Sequence, residues 1–420
     1  MLRDDPGGLS ETDRRLGWRR EPLDSPSSDP AVRRHLARLE AWSALELDEQ
    51  YRAIRADKGG FEPAFDAVDG RVRVGLWCPC LGLGGAESWQ LALAEAVDPK
   101  RIAWRGAVVT EGRGVSDPRM ERELRRFMPV GYGLTDARTL ASACDLIVSW
   151  AVTSLSDLTW GLDPAPSVVV ACHFPAESPW GPGTESLLDG AARFVAVSEL
   201  AAESVPMGLR DRVEVIWNAV HAARLHPKRG RDAMRDAWEV PREAPVVGFL
   251  GRLAPEKDPD AMLRLAEHLP DPWEVVLVGE GSERFRLEQE VRSRDLRRVH
   301  LVGGDAGIGD VLSGFDTLVV PSRYESFGLT LAEGLWAGVP VIATHCGLAK
   351  LRPGLVREVA IGDPGRGLAQ AILADRFDPM GTSARIERAL AFARTSLDLG
   401  RFGREWTDLI LSTHRERRVQ

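Results

Sequence analysis

The chain has no apolar run long enough to span a bilayer, few cysteines, and no excess of positive charge. Its most hydrophobic segments, such as Ser167–Cys172 and Thr317–Val320, are strand-length, so neither a transmembrane helix nor a secretory signal core is expected. Five cysteines, Cys78, Cys80, Cys144, Cys172 and Cys346, are an odd number thinly spread over 420 residues, which argues against a disulfide framework. Cys78-Pro-Cys80 has the wrong spacing for a redox Cys-x-x-Cys, and no second pair completes a zinc site. These cysteines are expected to be small core residues in a reducing cytoplasm. A formal net charge of -8 argues against a general nucleic-acid binder, because affinity for a phosphate backbone needs a basic surface. No Asp-x-Asp element of the kind that holds a metal on a nucleotide diphosphate stands out, so no metal is expected.

What is present points to two domains and an appendage, since 420 residues exceed one ordinary core. The 41 glycines and 27 prolines suit an α/β chain with many strand-to-helix turns. Residues 1–70 read as a polar tail followed by a helical extension, with Leu36, Leu39, Leu45 and Ile54 among its apolar positions. Residues 71–222 then alternate strands with helices. The strands are expected at Arg71–Trp77, Ile102–Val109, Asp145–Ser149, Ser167–Cys172, Phe194–Val197 and Val213–Trp217. Residues 223–244 turn polar and basic and read as a linker. A second series follows in 245–383, with strands at Val246–Leu250, Glu274–Val278, Val299–Val302, Thr317–Val320 and Val339–Ala343, and residues 384–420 are helical. Strands alternating with helices imply a parallel sheet covered on both faces, so the expected fold is α/β: two doubly wound domains with a ligand cleft between them.

The richest stretch lies in the second series. Glu325 and Glu333, with seven residues between them, bracket a strand-to-helix loop and the start of a helix running from about Gly328 to Ala337. One carboxylate can accept hydrogen bonds from a sugar's hydroxyls and the other from the vicinal diol of a ribose. The free N–H groups of Phe327, Gly328 and Leu329 can meet a phosphate at the helix N-terminus. Gly251-Arg-Leu-Ala-Pro-Glu-Lys257 follows the first strand of this series, which puts Arg252 and Lys257 at a strand's carboxyl end, where they can neutralise a diphosphate and stabilise it as a leaving group. In the first series, Leu81-Gly-Leu-Gly-Gly-Ala-Glu87 sits at a strand-to-helix junction where backbone approaches a ligand closely. Its glycine spacing is incomplete for a dinucleotide oxidoreductase.

Gly251-Arg-Leu-Ala-Pro-Glu-Lys257, Val278-Gly-Glu-Gly281 and Glu325-Ser-Phe-Gly-Leu-Thr-Leu-Ala-Glu333 together resemble the donor half of the retaining glycosyltransferases of family 4, also called group 1. Gly84-Gly-Ala-Glu87, Val195-Ala-Val-Ser-Glu199 and Val215-Ile-Trp-Asn218 are similar to that family's acceptor half, so the likeness runs from about Arg71 to Ser412. The resemblance implies a GT-B fold: two Rossmann-like domains facing across a cleft, with the last helix returning to the N-terminal one. It implies that Arg252 and Lys257 bind the donor diphosphate, Glu325 the sugar and Glu333 the ribose, while Phe327, Gly328 and Leu329 offer backbone donors. By the same likeness, His173 is the active-site histidine and Gly85 lets its loop approach the phosphates or the acceptor.

The resemblance further implies a UDP- or GDP-sugar as donor substrate, no permanently bound cofactor, and a glycan or lipid-linked acceptor in surface glycan or glycolipid synthesis. A cytoplasmic place is expected, with the inner face of the cell membrane as an alternative. Weak peripheral membrane contact would use the basic amphipathic stretch Asp117–Met128, although Glu121 and Glu123 dilute its charge and an ordinary packed helix is the favoured reading. One departure from the family pattern is Gly347-Leu-Ala-Lys-Leu351, which lacks the usual acidic residue. The rival readings are a GT-B sugar-nucleotide epimerase, a phosphorylase, and a catalytically silent glycan- or nucleotide-binding protein.

Overall fold

The structure, a computed structural model, describes residues 60–64, 70–82, 84–110, 117–150, 159, 161–173, 188, 190–304, 306–362 and 365–419. Most of the expected N-terminal tail and its helices therefore lie outside the described residues. Of that region, Phe61 packs over the bare backbone of Gly106 and Gly131, where an added Cβ would come within 2.8 and 2.6 Å of its ring.

Two all-parallel sheets make the frame. The N-terminal lobe holds β1 (Val72–Cys78), β2 (Ile102–Val109), β3 (Val130–Tyr132), β4 (Leu146–Trp150), β5 (Ser167–Cys172), β6 (Arg193–Ala196) and β7 (Val213–Val215), in the order β3-β2-β1-β4-β5-β6-β7. The C-terminal lobe holds β8 (Val246–Leu250), β9 (Glu274–Val278), β10 (Val299–Val302), β11 (Thr317–Val320), β12 (Val341–Thr344) and β13 (Arg357–Val359), in the order β10-β9-β8-β11-β12-β13. Each order steps outward one way from its first strand and then resumes on the other side, which opens a crevice at the carboxyl ends beside β1 and β8. Central strands such as β4 and β5 are buried along their whole length, as expected of strands covered by helices on both faces. β3 and β13 were not foreseen: three residues are too few to show a period.

Residues 223–244, expected as a linker, are packed onto the C-terminal lobe instead. Their helix Gly230–Ala237 lies on the helix Ile308–Gly314, and Trp238 sits where a Cβ on Gly314 would be 2.4 Å from its ring. Arg235, fully buried, donates to Asp316 Oδ2 (2.7 Å) and to the carbonyls of Gly314 and Ala244. A buried guanidinium is tolerable only with such a set of partners.

The stretch Asp117–Met128 packs as an ordinary helix. Met120, Leu124 and Met128 are buried in the N-terminal core, while Arg125 and Arg126 pair with Glu121 and Glu123, so its apolar face is not presented to a membrane. Among the described residues, no helix is long and apolar enough to cross one. All five cysteines are unbonded, and four are buried.

The last helix, Leu399–Val419, crosses back to the N-terminal lobe. Phe402, Trp406, Leu409 and Ile410 join that lobe's core, and Gly403 lies so close to the helix Gly85–Ala96 that a Cβ would stand 2.0 Å from Ala96 O. Trp406 is fully buried, edge-on to Trp89 at 5.5 Å. Trp406→Ala is expected to destabilise the protein by about 3–5 kcal/mol, the usual result of emptying a large aromatic site, measured by urea denaturation.

Candidate active site

β8 ends at Leu250, and the chain turns through Gly251–Lys257 at the sheet's carboxyl edge. Two neighbouring glycines make that turn feasible. A Cβ on Gly279 (φ +152°) would lie 1.9 Å from Gly251 O, and one on Gly281 (φ +159°) 2.2 Å from Leu253 O. The Val278–Gly281 turn thus braces the cationic loop from beneath, with Leu253 N–H donating to Glu280 O at 2.9 Å. Arg252 is half exposed and paired with Glu256 (2.5 Å), while Lys257 Nζ donates to Glu325 Oε1 at 2.6 Å.

β11 delivers the second half of the site. After Pro321 the loop Ser322–Phe327 is tied to the cationic loop by Arg323 N–H to Glu256 O, 2.9 Å. Ser322 Oγ donates to the same Glu325 oxygen at 2.8 Å, which leaves Oε2 without a hydrogen bond from the described residues. Gly328 (φ +90°) then starts the helix Leu329–Ala337 without a side-chain cap, so first-turn N–H groups point outward. Sequence reasoning missed Tyr324 here. Its phenol lies among Glu256, Lys257, Arg252 and Glu325, and burial raises its pKa above the ordinary tyrosine value. The alternation around it carried no sign of that, because Tyr324 belongs to a loop.

Asp258-Pro-Asp260 has the Asp-x-Asp spacing passed over in the sequence. Both carboxylates are engaged by arginines, Asp258 with Arg264 (3.2 Å) and Asp260 with Arg286 (2.6 Å).

Gly347 shows why the altered loop still serves the site. At φ +52° it opens the helix Gly347–Leu351 under the glutamate loop, where a Cβ would meet Phe327 O at 2.6 Å and Glu325 Cβ at 2.7 Å. Leu348 N–H donates to Phe327 O at 2.7 Å. Phe327 itself is buried against Trp217 of the other lobe, ring centroids 5.9 Å apart.

The N-terminal lobe presents its own helix start. Gly84 begins the helix Gly85–Ala96 with no side-chain cap, and a Cβ on Gly85 would be 3.4 Å from Leu329 Cδ1, so two uncapped N-termini meet at the lobe boundary. His173 follows β5. Its ring stands edge-on to Trp89 (4.7 Å) and Trp150 (5.7 Å), its Nε2 is buried without a partner among the described residues, and burial lowers its pKa to about 3. It is therefore a neutral imidazole at any ordinary pH.

Glu333, one turn into its helix, faces elsewhere from Glu325. It lines a cavity at the lobe boundary with Ser88, Asn218 and Arg224, and the cavity volume, about 10 Å³, suits a single water. Burial pushes the Glu333 carboxyl up to about 7, with Arg224 pulling the other way.

Two seven- and six-stranded parallel lobes, meeting at the carboxyl ends of β1, β5, β8 and β11, define the GT-B class of fold. Solved structures agree: Anabaena HepE in complex with UDP-glucose superposes with a TM-score of 0.69 at 19% identity, over 81% of this chain and 100% of that one. WaaG, a glycosyltransferase involved in lipopolysaccharide biosynthesis, gives 0.59 at 15% identity, over 80% and 99%. Residues 230–351, the stretch that carries Arg252, Lys257, Glu325 and Glu333, match the family described as Glycosyl transferases group 1. Among curated relatives, a GDP-mannose-dependent alpha-mannosyltransferase of Mycolicibacterium smegmatis is 30% identical over 59% of this chain, and a D-inositol 3-phosphate glycosyltransferase of Thermomonospora curvata 32% over 49%. The chain spans 65% and 50% of the length of those two proteins.

Two outcomes follow from this geometry. Gly347→Ala, forced into a left-handed backbone and against Glu325, is expected to lower thermal stability, measured by calorimetry. Glu333 binds its proton more tightly folded than unfolded, so its contribution to stability is lost as pH rises from about 4.5 to about 7. Glu333→Gln should therefore match wild type in stability near pH 4 and exceed it at pH 8, by at most roughly 3 kcal/mol, read from denaturation curves.

Proposed function

We propose that this protein is a retaining glycosyltransferase that moves a hexosyl unit from a nucleoside-diphosphate sugar to an acceptor hydroxyl. The carrying observation is the Lys257–Glu325 contact beside the uncapped start of the helix Leu329–Ala337. That arrangement sets a cation, helix N–H groups and a carboxylate acceptor within one loop's reach, and a sugar linked to a diphosphate needs all three. In this reading Arg252 and Lys257 bind the diphosphate and Glu325 the sugar hydroxyls. The N–H groups of Phe327, Gly328 and Leu329 meet phosphate and sugar, Gly85 brings the opposite helix start close, and Glu333 takes the ribose once the lobes part.

The step is front-face substitution. The bond from C1 to the phosphate oxygen breaks as the acceptor oxygen bonds to C1 on the same face, and the acceptor's proton passes to the departing phosphate. Arg252, Lys257 and the helix N-termini stabilise the charge that develops there, so the cationic role does not call for a metal. Neutral His173 lines the N-terminal side of the same region as a hydrogen-bonding group for the hexose. The donor base is uridine or guanosine, in keeping with the UDP-glucose bound by HepE and the GDP-mannose in the name of the mannosyltransferase. The acceptor is a glycan or a lipid-linked sugar of surface glycan synthesis, met in the cytoplasm or at the inner membrane face.

A thermal-shift screen of UDP-, GDP- and ADP-sugars identifies the donor, because a ligand at 100 times its Kd adds about 2.7 kcal/mol to the native state. With that donor, release of nucleoside diphosphate should depend on added acceptor, which an epimerase would not require. Glu325→Ala is expected to lower kcat/KM about 100-fold or more, the scale for removing one preorganised polar contact to the reacting sugar. Unchanged donor binding and turnover in that variant would refute the assignment.

A further inference from the structure

The two groups assigned to the hexose come from different lobes and lie 152 positions apart in sequence, yet one side chain links them. Ser326, next to Glu325, donates its hydroxyl to the backbone carbonyl of His173 at 2.5 Å. Its own carbonyl accepts from Ser198 Oγ, also at 2.5 Å. Ser198 is fully buried and is itself fixed, because its oxygen accepts the Ala201 N–H at 3.0 Å as the cap of the helix Glu199–Ala202. Ser326 is thus held through both its side chain and its backbone by the ends of β5 and β6. Immediately after it, Phe327 packs on Trp217, whose indole N–H donates to Glu199 Oε2 at 2.8 Å. Immediately before it, Glu325 is held, among the described residues, by groups of its own lobe, Lys257 and Ser322.

We propose that Ser326 and Ser198 form an interlobe clasp that sets Glu325 in register with His173 when the lobes close, making Ser326 a positioning residue for the transfer step. This rests on the proposed glycosyl transfer. A donor bound by the C-terminal lobe alone needs neither serine, since Arg252, Lys257 and Glu325 all lie there. Bringing the bound hexose to His173 and to an acceptor on the N-terminal lobe does need them. Removal of the clasp should therefore spare donor capture and slow turnover, the pattern of an interaction made in the closed, reacting state. The hydroxyl is small enough that its loss leaves the buried core around Phe327 intact.

Ser326→Ala, Ser326→Thr, Ser198→Ala and the double alanine variant would be compared with wild type for donor kcat and KM, with small-angle scattering on the donor-free proteins. The expected result is a fall in kcat of about 5- to 20-fold in Ser326→Ala with donor KM within 2-fold, recovery of most of it in Ser326→Thr, and a double variant no worse than the product of the singles. The radius of gyration of the double variant should exceed that of wild type as the lobes separate. Equal kcat in Ser326→Ala and wild type, or a loss expressed in donor KM alone, overturns the clasp. The scattering arm does not depend on activity: an unchanged radius of gyration in the double variant also overturns it. Absence of any nucleotide-sugar binding by wild type instead sinks the transferase reading.

Discussion

Two helices, one from each lobe, begin at the same place with no side chain to cap them. The partial positive charges of their N-termini approach across the lobe boundary at Gly85 and Leu329, where contact is limited by a leucine side chain. Like ends of two dipoles repel, and the arrangement is comfortable only when negative charge lies between or beside them. The chain provides part of it: Glu87 folds back so that its carboxylate would strike a Cβ on Gly84 at 2.5 Å, and Glu325 stands beside the other helix start. Lys257 neutralises Glu325 in turn, so positive potential remains at the junction. An anionic group at this boundary would offset that potential.

Keeping the two helix starts so close demands that several loops pass one another at backbone distance. That is why glycine occupies positions 279, 281 and 347, each at positive φ and each with a neighbouring backbone atom where a Cβ would be. These residues bind nothing themselves in this arrangement; they let the cationic loop rest on the turn after β9 and the glutamate loop on the helix after β12. Loss of the usual acidic residue from the Gly347 loop leaves this supporting role untouched, because support comes from the absent side chain of Gly347 and the backbone of Leu348.

The frame was legible in the sequence where strands are long and covered on both faces, as in β4, β5 and β9, since continuous apolar runs bounded by turns have few other readings. It was not legible at β3 and β13, edge strands of three residues, nor at 223–244, where a polar surface conceals Met234, Arg235 and Trp238 packed against the Ile308–Gly314 helix. The chemistry divides in the same way. Arg252, Lys257 and Glu325 announce themselves because each follows a recognisable strand, whereas Tyr324, Ser326 and Trp217 matter through contacts with residues far away in sequence. No period encodes the meeting of Ser326 with His173, because it depends on how two separately folded sheets dock. Glu333 was read as a ribose ligand, and the structure adds that its surroundings penalise its charge.

That penalty and the small cavity beside Glu333 describe one state. A carboxylate raised to about 7 with room for a single water belongs to lobes that are closed on one another. Opening would hydrate Glu333 and restore its charge. Ties across the face near the site include those of Ser198 and Ser326, beside the Trp217–Phe327 and Arg352–Trp217 contacts. The crossover is different. Arg401 donates to Trp217 O at 2.7 Å and Val220 N–H to Leu397 O at 2.9 Å, and the last helix is buried along Phe402, Trp406 and Ile410. This side is tied by hydrogen bonds to the backbone and a buried helix together, more firmly than the face that carries Ser198 and Ser326.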